Sequence, residues 1–283
     1  MQHLKLLWKN SGDGATLSGG NWTLPIAKVQ TQDINDVARS NGLASANSSF
    51  IIDFGTQYTL FRGLALVNIN CSVSATIRIL TGNDNTFASF DYDTGTIDIF
   101  NSNLTTADVA WESGNWWWGR ITETDLAGYV RNYFVDLGSR ENRYIKIIIN
   151  DPNNAYGYVD IGRLLVGTLT QYTFNYAYGA KLGWIDPSIK SRSIGGKPFA
   201  DVRQKYRTAS FSLDWLSDAE AMTVAFELER SLGTTGEIFI VPDSDDAQNL
   251  FRRSFLAQLS ELSGLEKHLY GYQKTAYKFE EIL

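Results

Sequence analysis

Two stretches near the middle of the chain, Arg143-Tyr-Ile-Lys-Ile-Ile-Ile-Asn150 and Tyr158-Val-Asp-Ile-Gly-Arg-Leu-Leu-Val-Gly167, carry its clearest structural signal. Both are rich in β-branched and aromatic residues, which suit the pleated, half-buried surface of a sheet. The segment between them, Asp151-Pro-Asn-Asn-Ala-Tyr-Gly157, consists largely of residues that favour turns. We therefore predict two strands with a turn between them, as in the closing strands of a β-sandwich.

The same pattern of short apolar runs and polar turns extends over the first part of the chain, to about Thr168. Many short strands at such spacing are typical of an all-β sandwich, and about eight of them make a jelly roll. The predicted strands are Leu24–Val29, Phe50–Phe54, Phe61–Asn68, Ala75–Thr81, Thr96–Phe100, Asn132–Leu137, Tyr144–Asn150 and Val159–Val166.

The runs Phe50-Ile-Ile-Asp-Phe-Gly55 and Phe61-Arg-Gly-Leu-Ala-Leu-Val-Asn68, together with the two later stretches, resemble the galactose-binding-like, discoidin-type jelly roll. In that family, an early strand that contains an Asp occurs together with a late Arg-Tyr-Ile-Lys-Ile strand. The resemblance implies a β-sandwich domain over residues 1–167. It also implies recognition or assembly rather than catalysis.

The second part of the chain begins near Leu169 and mixes strands with one helix. We predict a strand at Tyr172–Tyr178, a long hairpin over Lys181–Arg207, and later strands at Glu237–Pro242 and Gly271–Glu280. Residues 251–259 form a further strand or a short helix. The helix begins at Ser217-Asp-Ala-Glu220, which matches a capping box, and it ends at Gly233.

The predicted hairpin is basic in an acidic chain. It contains seven Lys or Arg residues against two Asp, a net charge of +5 that leaves −11 on the rest of a chain whose total is −6. It is a solvated loop, a nucleic-acid contact, or an arm that reaches an acidic neighbour in a ring. We favour the third, with contacts at Lys190, Arg192, Lys197, Arg203, Lys205 and Arg207. We expect Arg203, Lys205 and Arg207 to face solvent in the monomer.

This order of elements also resembles the tube-forming module of tailed-bacteriophage tails. The resemblance rests on Leu216-Ser-Asp-Ala-Glu-Ala-Met222, on the Ile238-Phe-Ile-Val-Pro-Asp243 strand and on the ending Tyr277-Lys-Phe-Glu-Glu-Ile-Leu283. It implies a mainly β chain with a tail-tube-like, ring-forming β-sandwich domain over residues 168–283, flanked by one α-helix. Family distal tail proteins place this module first, whereas here it comes second.

Three consecutive tryptophans, Trp116, Trp117 and Trp118, stand close to Trp111. Successive residues of a strand point to opposite faces, so the three cannot all enter one core. They pack at the end of the sandwich, contact another subunit or offer a platform for a glycan.

The sequence offers little for catalysis or metal binding. The two histidines, His3 and His268, lie near opposite ends, and Cys71 is the single cysteine, expected to be buried. The acidic pairs at Asp91 and Asp93, at Glu123 and Asp125, and within Asp243-Ser-Asp-Asp246 suit solvated turns better than a hydrolytic or calcium site. We therefore expect no enzyme, no cofactor and no metal.

The leading functional hypothesis is a structural virion protein at a phage tail tip or baseplate, synthesised in the host cytoplasm. Its partners would be further copies in a ring, expected to be hexameric, other tail and baseplate proteins, and a glycan as a further partner. No apolar run of membrane-spanning length and no specific nucleic-acid motif is present in the sequence. The alternatives are a carbohydrate-binding module fused to an adaptor domain and, less favoured, a glycan-active enzyme.

Overall fold

The computed structural model describes residues 4–55, 58–100, 111, 116–117, 121–246 and 249–283. This part of the chain is mainly β, with several antiparallel sheets and one main helix. The mainly β fold class predicted from the sequence is therefore confirmed. No helix in the described residues is both long enough and apolar enough to cross a membrane.

The strands are numbered in chain order. They are β1 (Lys5–Leu7), β2 (Thr16–Ser18), β3 (Trp22–Leu24), β4 (Ala38–Ser40), β5 (Phe50–Asp53), β6 (Thr59–Ile69), β7 (Thr76–Gly82), β8 (Tyr92–Asp93), β9 (Ile97–Asp98), β10 (Asn132–Asn142), β11 (Tyr144–Asn150), β12 (Asp160–Gly167), β13 (Thr170–Gln171), β14 (Lys181–Ile185), β15 (Ile189–Arg192), β16 (Pro198–Asp201), β17 (Tyr206–Ser217), β18 (Ile238–Val241), β19 (Phe255–Leu259), β20 (Glu266–Leu269) and β21 (Tyr272–Glu281).

The helices are α1 (Glu123–Leu126), α2, which runs through the contiguous segments Asp218–Glu220, Ala221–Phe226 and Glu227–Leu232, and α3 (Leu250–Arg253). The chain divides into two compact units. The sandwich unit comprises Lys5–Thr170 and Phe239–Phe255. The arm unit comprises Met1–Leu4, Gln171–Ile238 and Leu256–Leu283.

Two antiparallel sheets make up most of the sandwich unit. One has the strand order β10-β6-β12-β4-β3 and the other has the order β2-β5-β11-β7-β8, with β9 also on β7. The core residues stand at every second position along strands such as β11, where Ile145, Ile147 and Ile149 alternate, so one face of each sheet enters a shared core. That core includes Phe50, Ile77, Ile147, Leu64 and Leu164.

The early and late runs that suggested the sandwich meet directly. Strand β11 pairs with β5, with Tyr144 opposite Asp53. The Arg143 guanidinium donates two hydrogen bonds to the Asp53 carboxylate, with Nε–Oδ1 at 2.8 Å and Nη2–Oδ2 at 3.0 Å. The hydrogen bond from Arg143 holds the pKa of Asp53 below its ordinary value. The pair fixes the register of these two strands.

The arm unit is built on β17, which pairs with β21 and β14, while β21 also pairs with β19 and β20. Residues Ala209, Phe211 and Leu213 alternate along β17 and are buried, as are Tyr277 and Phe279 on β21. The hydroxyls of Tyr172 and Tyr277 lie 2.9 Å apart in this core.

Helix α2 begins where the sequence predicts. The Ser217 hydroxyl accepts the Glu220 backbone N–H at 3.2 Å, and Glu220 reaches back to Ser217, which completes the capping box. The segment Ala221–Phe226 is wound more widely, as a π-helical turn, and Ala221, Ala225 and Leu228 are buried. Gly233, with a φ of 55°, follows the last turn.

Two predicted strands are wrong. The strand predicted at Leu24–Val29 ends at Leu24, because Pro25 initiates a 3₁₀ turn at Ile26–Gln30. Of the strand predicted at Tyr172–Tyr178, no residue joins a sheet; the neighbouring β13 ends at Gln171. The backbone N–H of Thr173 donates to the Glu220 side chain instead of a strand partner.

Candidate binding surfaces

A cleft opens at the end of the first sheet of the sandwich unit, where β6 ends and β10 and β12 begin. Antiparallel order places these three strand ends at one edge, so the loops beside them come together. The cleft has a volume of about 260 Å³. We call it the tyrosine cleft; its lining includes Asn68, Tyr129, Arg131, Tyr156, Tyr158 and Asp160.

Hydrogen bonds fix the loop that carries the two neighbouring tyrosines. The side-chain oxygen of Asn70 accepts the Asp160 N–H at 2.8 Å, and its amide donates to the Tyr158 carbonyl at 3.1 Å. The Asn154 amide donates to the Asn70 carbonyl at 3.1 Å. The polar groups of this turn are therefore paired within the chain, and the cleft keeps its shape without a ligand.

The aromatic side of the cleft consists of Tyr158 and Tyr156. Arg39 binds Asp160 through two hydrogen bonds of 2.9 Å, and its guanidinium carbon lies 3.9 Å from the centre of the Tyr158 ring. Tyr156, whose ring centre is 6.2 Å from that of Tyr158, is 66 % exposed. The Tyr158 ring thus lies against Arg39, and the Tyr156 ring is largely exposed to solvent.

The cleft also has polar lining residues, Arg131 and Asn68, which are anchored by hydrogen bonds. Arg131 donates to the Cys71 carbonyl at 2.6 Å and to Glu123 at 2.7 Å. Asn68 has a φ of 54°, in the left-handed region, and its amide donates to the Ile34 carbonyl at 2.8 Å. Strained backbone of this kind often marks a functional site.

Gly162 allows this packing. A Cβ at Gly162 would lie 2.3 Å from the Ile34 carbonyl oxygen and 2.9 Å from the Asn68 Cβ. The glycine of the Ile-Gly-Arg stretch is therefore required by the close approach of backbone beneath the cleft.

A second surface is the arm, residues 189–201, in which β15 pairs with β16 as a separate two-stranded sheet. Its turn closes through the Gly196 N–H, which donates to the Ser193 carbonyl at 2.8 Å, near the predicted turn. Every residue of the arm is exposed, including the large apolar side chains of Ile189, Ile194 and Phe199.

Five of the six predicted contact residues are exposed: Lys190, Arg192, Lys197, Arg203 and Lys205. Arg203 lies 3.1 Å from Asp201 and Lys205 lies 4.0 Å from Asp186, so these two belong to local ion pairs. Whether the five contact another subunit stays a prediction.

The expectation that Arg207 faces solvent is wrong. Arg207 is 1 % exposed and forms an ion pair with Glu281. Its position on β17 places it on the same face as Ala209 and Phe211, and the carboxylate of Glu281 also accepts the Arg207 backbone N–H at 2.8 Å. Alternation along the strand, rather than charge, decides its orientation.

The tryptophans form a cluster that is separate from the lining of the tyrosine cleft. The Trp116 ring centre lies 4.4 Å from that of Trp111 and 4.8 Å from that of Trp117. Trp111 is 72 % exposed and Trp117 is 68 % exposed. Trp118 lies outside the described residues. A partner or glycan contact at these residues stays a prediction.

The acidic pairs are used for structure. Asp93 holds Arg78, with Nη2–Oδ2 at 2.6 Å, and Asp125 caps the Thr122 N–H at 2.8 Å. Asp243 accepts the Asp245 N–H at 3.0 Å, and Arg253 lies 2.9 Å from Asp246. The described residues contain no cluster of three or more His, Cys, Asp or Glu side chains suited to a metal ion.

Sequence reasoning missed the tyrosine cleft. Its residues come from three segments distant in sequence, namely the end of β6, the residues before β10 and the residues around the start of β12. The loops among them look like ordinary turns. One signal was present: Tyr156 is a large aromatic residue inside a segment of turn-forming residues, where burial in a strand is not expected.

Comparisons with known proteins give limited similarity. No family model and no curated protein matches the chain. Among solved structures, CBM32-1 from a family 31 glycoside hydrolase of Clostridium perfringens is 15 % identical, with 56 % of this chain and 98 % of that chain covered and a TM-score of 0.34.

Two further modules from Clostridium perfringens are similar at the same level. CpGH89CBM32-4, in complex with GlcNAc-α-1,4-galactose, is 12 % identical, with 58 % and 94 % of the two chains covered and a TM-score of 0.34. CpGH89CBM32-5, in complex with GalNAc-β-1,3-galactose, is 10 % identical, with 56 % and 99 % covered and a TM-score of 0.34. TM-scores this low leave both fold and function of this chain to be argued from its own geometry.

Proposed function

We propose that this chain is a non-catalytic carbohydrate-binding module fused to an adaptor domain, with the sugar held in the tyrosine cleft. The observation that carries the proposal is the combination of an exposed Tyr156 ring with anchored polar groups on Arg131 and Asn68. A pyranose ring has an apolar face of C–H groups and a circumference of hydroxyls. The first can stack on an aromatic ring, and the second need fixed donors and acceptors.

The fixed geometry of the cleft supports binding of a rigid ligand. Asn70, Arg39 and Arg131 each hold their loops through paired hydrogen bonds, so little order remains to be gained on binding. The volume of about 260 Å³ is suited to one sugar ring, and adjoining sugar units of the glycan would stay in solvent.

The proposed role is binding rather than hydrolysis. Glycoside hydrolysis ordinarily needs two convergent carboxyl groups. Among the described lining residues Asp160 supplies a carboxylate, and both of its oxygens accept hydrogen bonds from Arg39.

A screen of immobilised glycans, followed by titration calorimetry on the best ligand, tests this proposal. Tyr156→Ala should weaken binding about tenfold or more, since loss of a stacked ring amounts to roughly 1.4 kcal/mol or above. Tyr178→Ala is the control, because Tyr178 is also an exposed tyrosine but belongs to the arm unit. Equal binding by both variants, or no glycan bound by the wild type, would contradict the proposal.

A second candidate function is favoured by the arm. A structural protein of a phage tail tip or baseplate, assembled as a ring in the virion, would need a segment that reaches a neighbouring copy. The arm exposes Ile189, Ile194 and Phe199 beside Lys190 and Arg192. Exposed apolar residues beside a net positive charge, in a chain of negative net charge, suit a head-to-tail contact with a second copy.

Light scattering after size exclusion tests this candidate. Lys190, Arg192 and Lys197 are replaced by Glu in one variant, and the exposed Lys9, Lys267 and Lys278 are replaced by Glu in the control. The charge change is the same in both. Loss of an oligomer in the arm variant alone would support assembly through the arm, whereas a monomeric wild type at all concentrations would reject it.

A further inference from the structure

A second cavity in the sandwich unit lies along the outer edge of β10. This strand is the end strand of its sheet, with β6 on one side. The cavity has a volume of about 370 Å³. We call it the edge pocket; its apolar lining includes Ile97, Phe100, Val135, Phe239, Leu250 and Phe251. It is lined by a different set of residues from the tyrosine cleft.

Two polar side chains of the edge pocket have hydrogen-bonding atoms without a partner. These atoms are the amide nitrogen of Asn132 and the hydroxyl of Tyr133; among the described residues, neither meets a donor or acceptor. Each residue is 5 % exposed. A buried donor that has lost water and gained no acceptor costs free energy, so such groups in a native protein need an explanation.

The two groups cannot satisfy each other within the strand. Asn132 and Tyr133 are successive residues of β10, so their side chains point to opposite faces of the sheet. Both nevertheless line the edge pocket, which therefore reaches around the edge of the strand. The Asn132 oxygen accepts the Asn68 N–H at 3.4 Å, which leaves the NH₂ group for another partner. Burial raises the pKa of Tyr133, so its hydroxyl stays protonated.

The chemistry of a matching occupant follows from these groups. An apolar wall with two donors calls for a largely apolar molecule with acceptor oxygens. The exposed Asp98 also lines the pocket, and its negative charge disfavours an anion there. We propose that the edge pocket binds a small, neutral, mainly apolar molecule whose carbonyl-type oxygen accepts hydrogen bonds from Asn132 and Tyr133.

The probe for the test is prodan, a neutral naphthalene ketone whose emission depends on polarity and on hydrogen bonds to its carbonyl. The full chain should bind it saturably, with enhanced, blue-shifted emission. Ile97→Trp, which fills the pocket, should abolish binding. Tyr156→Ala, in the tyrosine cleft, should leave binding unchanged and so separates the two sites.

Tyr133→Phe and Asn132→Leu should each weaken prodan binding at least threefold and shift its emission further to the blue. Without probe, Tyr133→Phe should melt at a higher temperature than the wild type, because it removes an unpaired buried hydroxyl. Asn132→Leu is not used for this comparison, because it also removes the acceptor of the Asn68 N–H. A purely structural role for the Tyr133 hydroxyl predicts a lower melting temperature of Tyr133→Phe instead. The proposal is overturned if the wild type shows no saturable binding, if Ile97→Trp binds equally, or if both polar variants bind as the wild type does.

Discussion

The tyrosine cleft and the arm are both exposed, but they differ in how far contacts within the chain hold their residues in place. Around the cleft, Asn70, Asn154 and Arg39 hold every turn through hydrogen bonds of about 3 Å. The arm has its own strand pairing and turn, but all of its side chains face solvent. The cleft is therefore ordered by the chain itself. The arm exposes apolar groups that another molecule would have to cover.

The largest expected effect is a loss of stability at Arg207, in β17 at the base of the hairpin. Arg207→Met should cost about 3–5 kcal/mol of unfolding free energy, because it leaves Glu281 buried without its cation. Lys205→Met, at a position exposed by 62 %, should change little. Urea denaturation measures both. Similar stability of the two variants would show that the ion pair of Arg207 does not anchor the hairpin.

The second prediction compares one glycine from each region. Gly162→Ala should destabilise by roughly 1–3 kcal/mol, since the added Cβ meets the Ile34 carbonyl and the Asn68 side chain. Gly195→Ala, in the arm, meets just the Ser193 hydroxyl at 4.0 Å and should stay within about 0.5 kcal/mol of the wild type. Thermal melting distinguishes them. A large loss for Gly195→Ala would mean that the arm is more tightly packed than its exposure indicates.

The third prediction concerns acid stability of the sandwich unit. Burial would raise the pKa of Asp136, but hydrogen bonds from Arg62, Lys5 and the Gly138 N–H outweigh burial and hold it at about 2. An unfolded Asp has a pKa of about 3.9. The carboxylate therefore stabilises the fold above about pH 3.9, and that stabilisation is lost as the pH falls towards 2.

Asp136→Asn should cost about 1–3 kcal/mol at neutral pH and progressively less below pH 4. Asp201→Asn in the arm is the control, because its pair with Arg203 is exposed and contributes little. Melting curves between pH 7 and pH 2.5 provide the comparison. A constant difference between Asp136→Asn and the wild type across this range would contradict the assigned pKa.

The smallest expected effect lies at the start of α2. Ser217→Ala removes the acceptor for the Glu220 N–H and should cost about 1 kcal/mol. Ser217→Asp should recover most of the loss, since Asp also caps helices. Unchanged stability in Ser217→Ala would show that the capping box does not hold the helix start.

Strands with strong local patterns could be predicted from sequence. Tyr144–Asn150 matches β11 residue for residue, because its alternating isoleucines suit a strand with one face in the core. The capping box of α2 could also be predicted from the sequence, because Ser217 and Glu220 have the required spacing. The strand predicted over Tyr172–Tyr178 is absent although its aromatic and small residues alternate. Its backbone groups bind other partners, as the Thr173 N–H does when it donates to the Glu220 side chain.

The candidate sites were much less predictable. The tyrosine cleft joins segments about 90 residues apart, such as the end of β6 at Asn68 and the loop of Tyr158, and no local pattern predicts this contact. Arg207 was assigned to solvent because its neighbours in sequence are basic, whereas the alternation of β17 and the acid on β21 determine its burial. A run of basic residues predicts the net charge of a segment, but the alternation along the strand determines which of its side chains are buried.

The central claim is our proposal that the tyrosine cleft is ordered before it binds a ligand, whereas the arm is protected when another copy of the chain covers it. Hydrogen exchange of the isolated protein at low concentration, read by mass spectrometry, tests it most directly. We expect slow exchange for peptides that contain Asn70 and residues 158–160, and fast exchange for residues 189–201 until the protein is concentrated enough to assemble. Equal protection of the arm and the cleft loops in the dilute protein would contradict the claim.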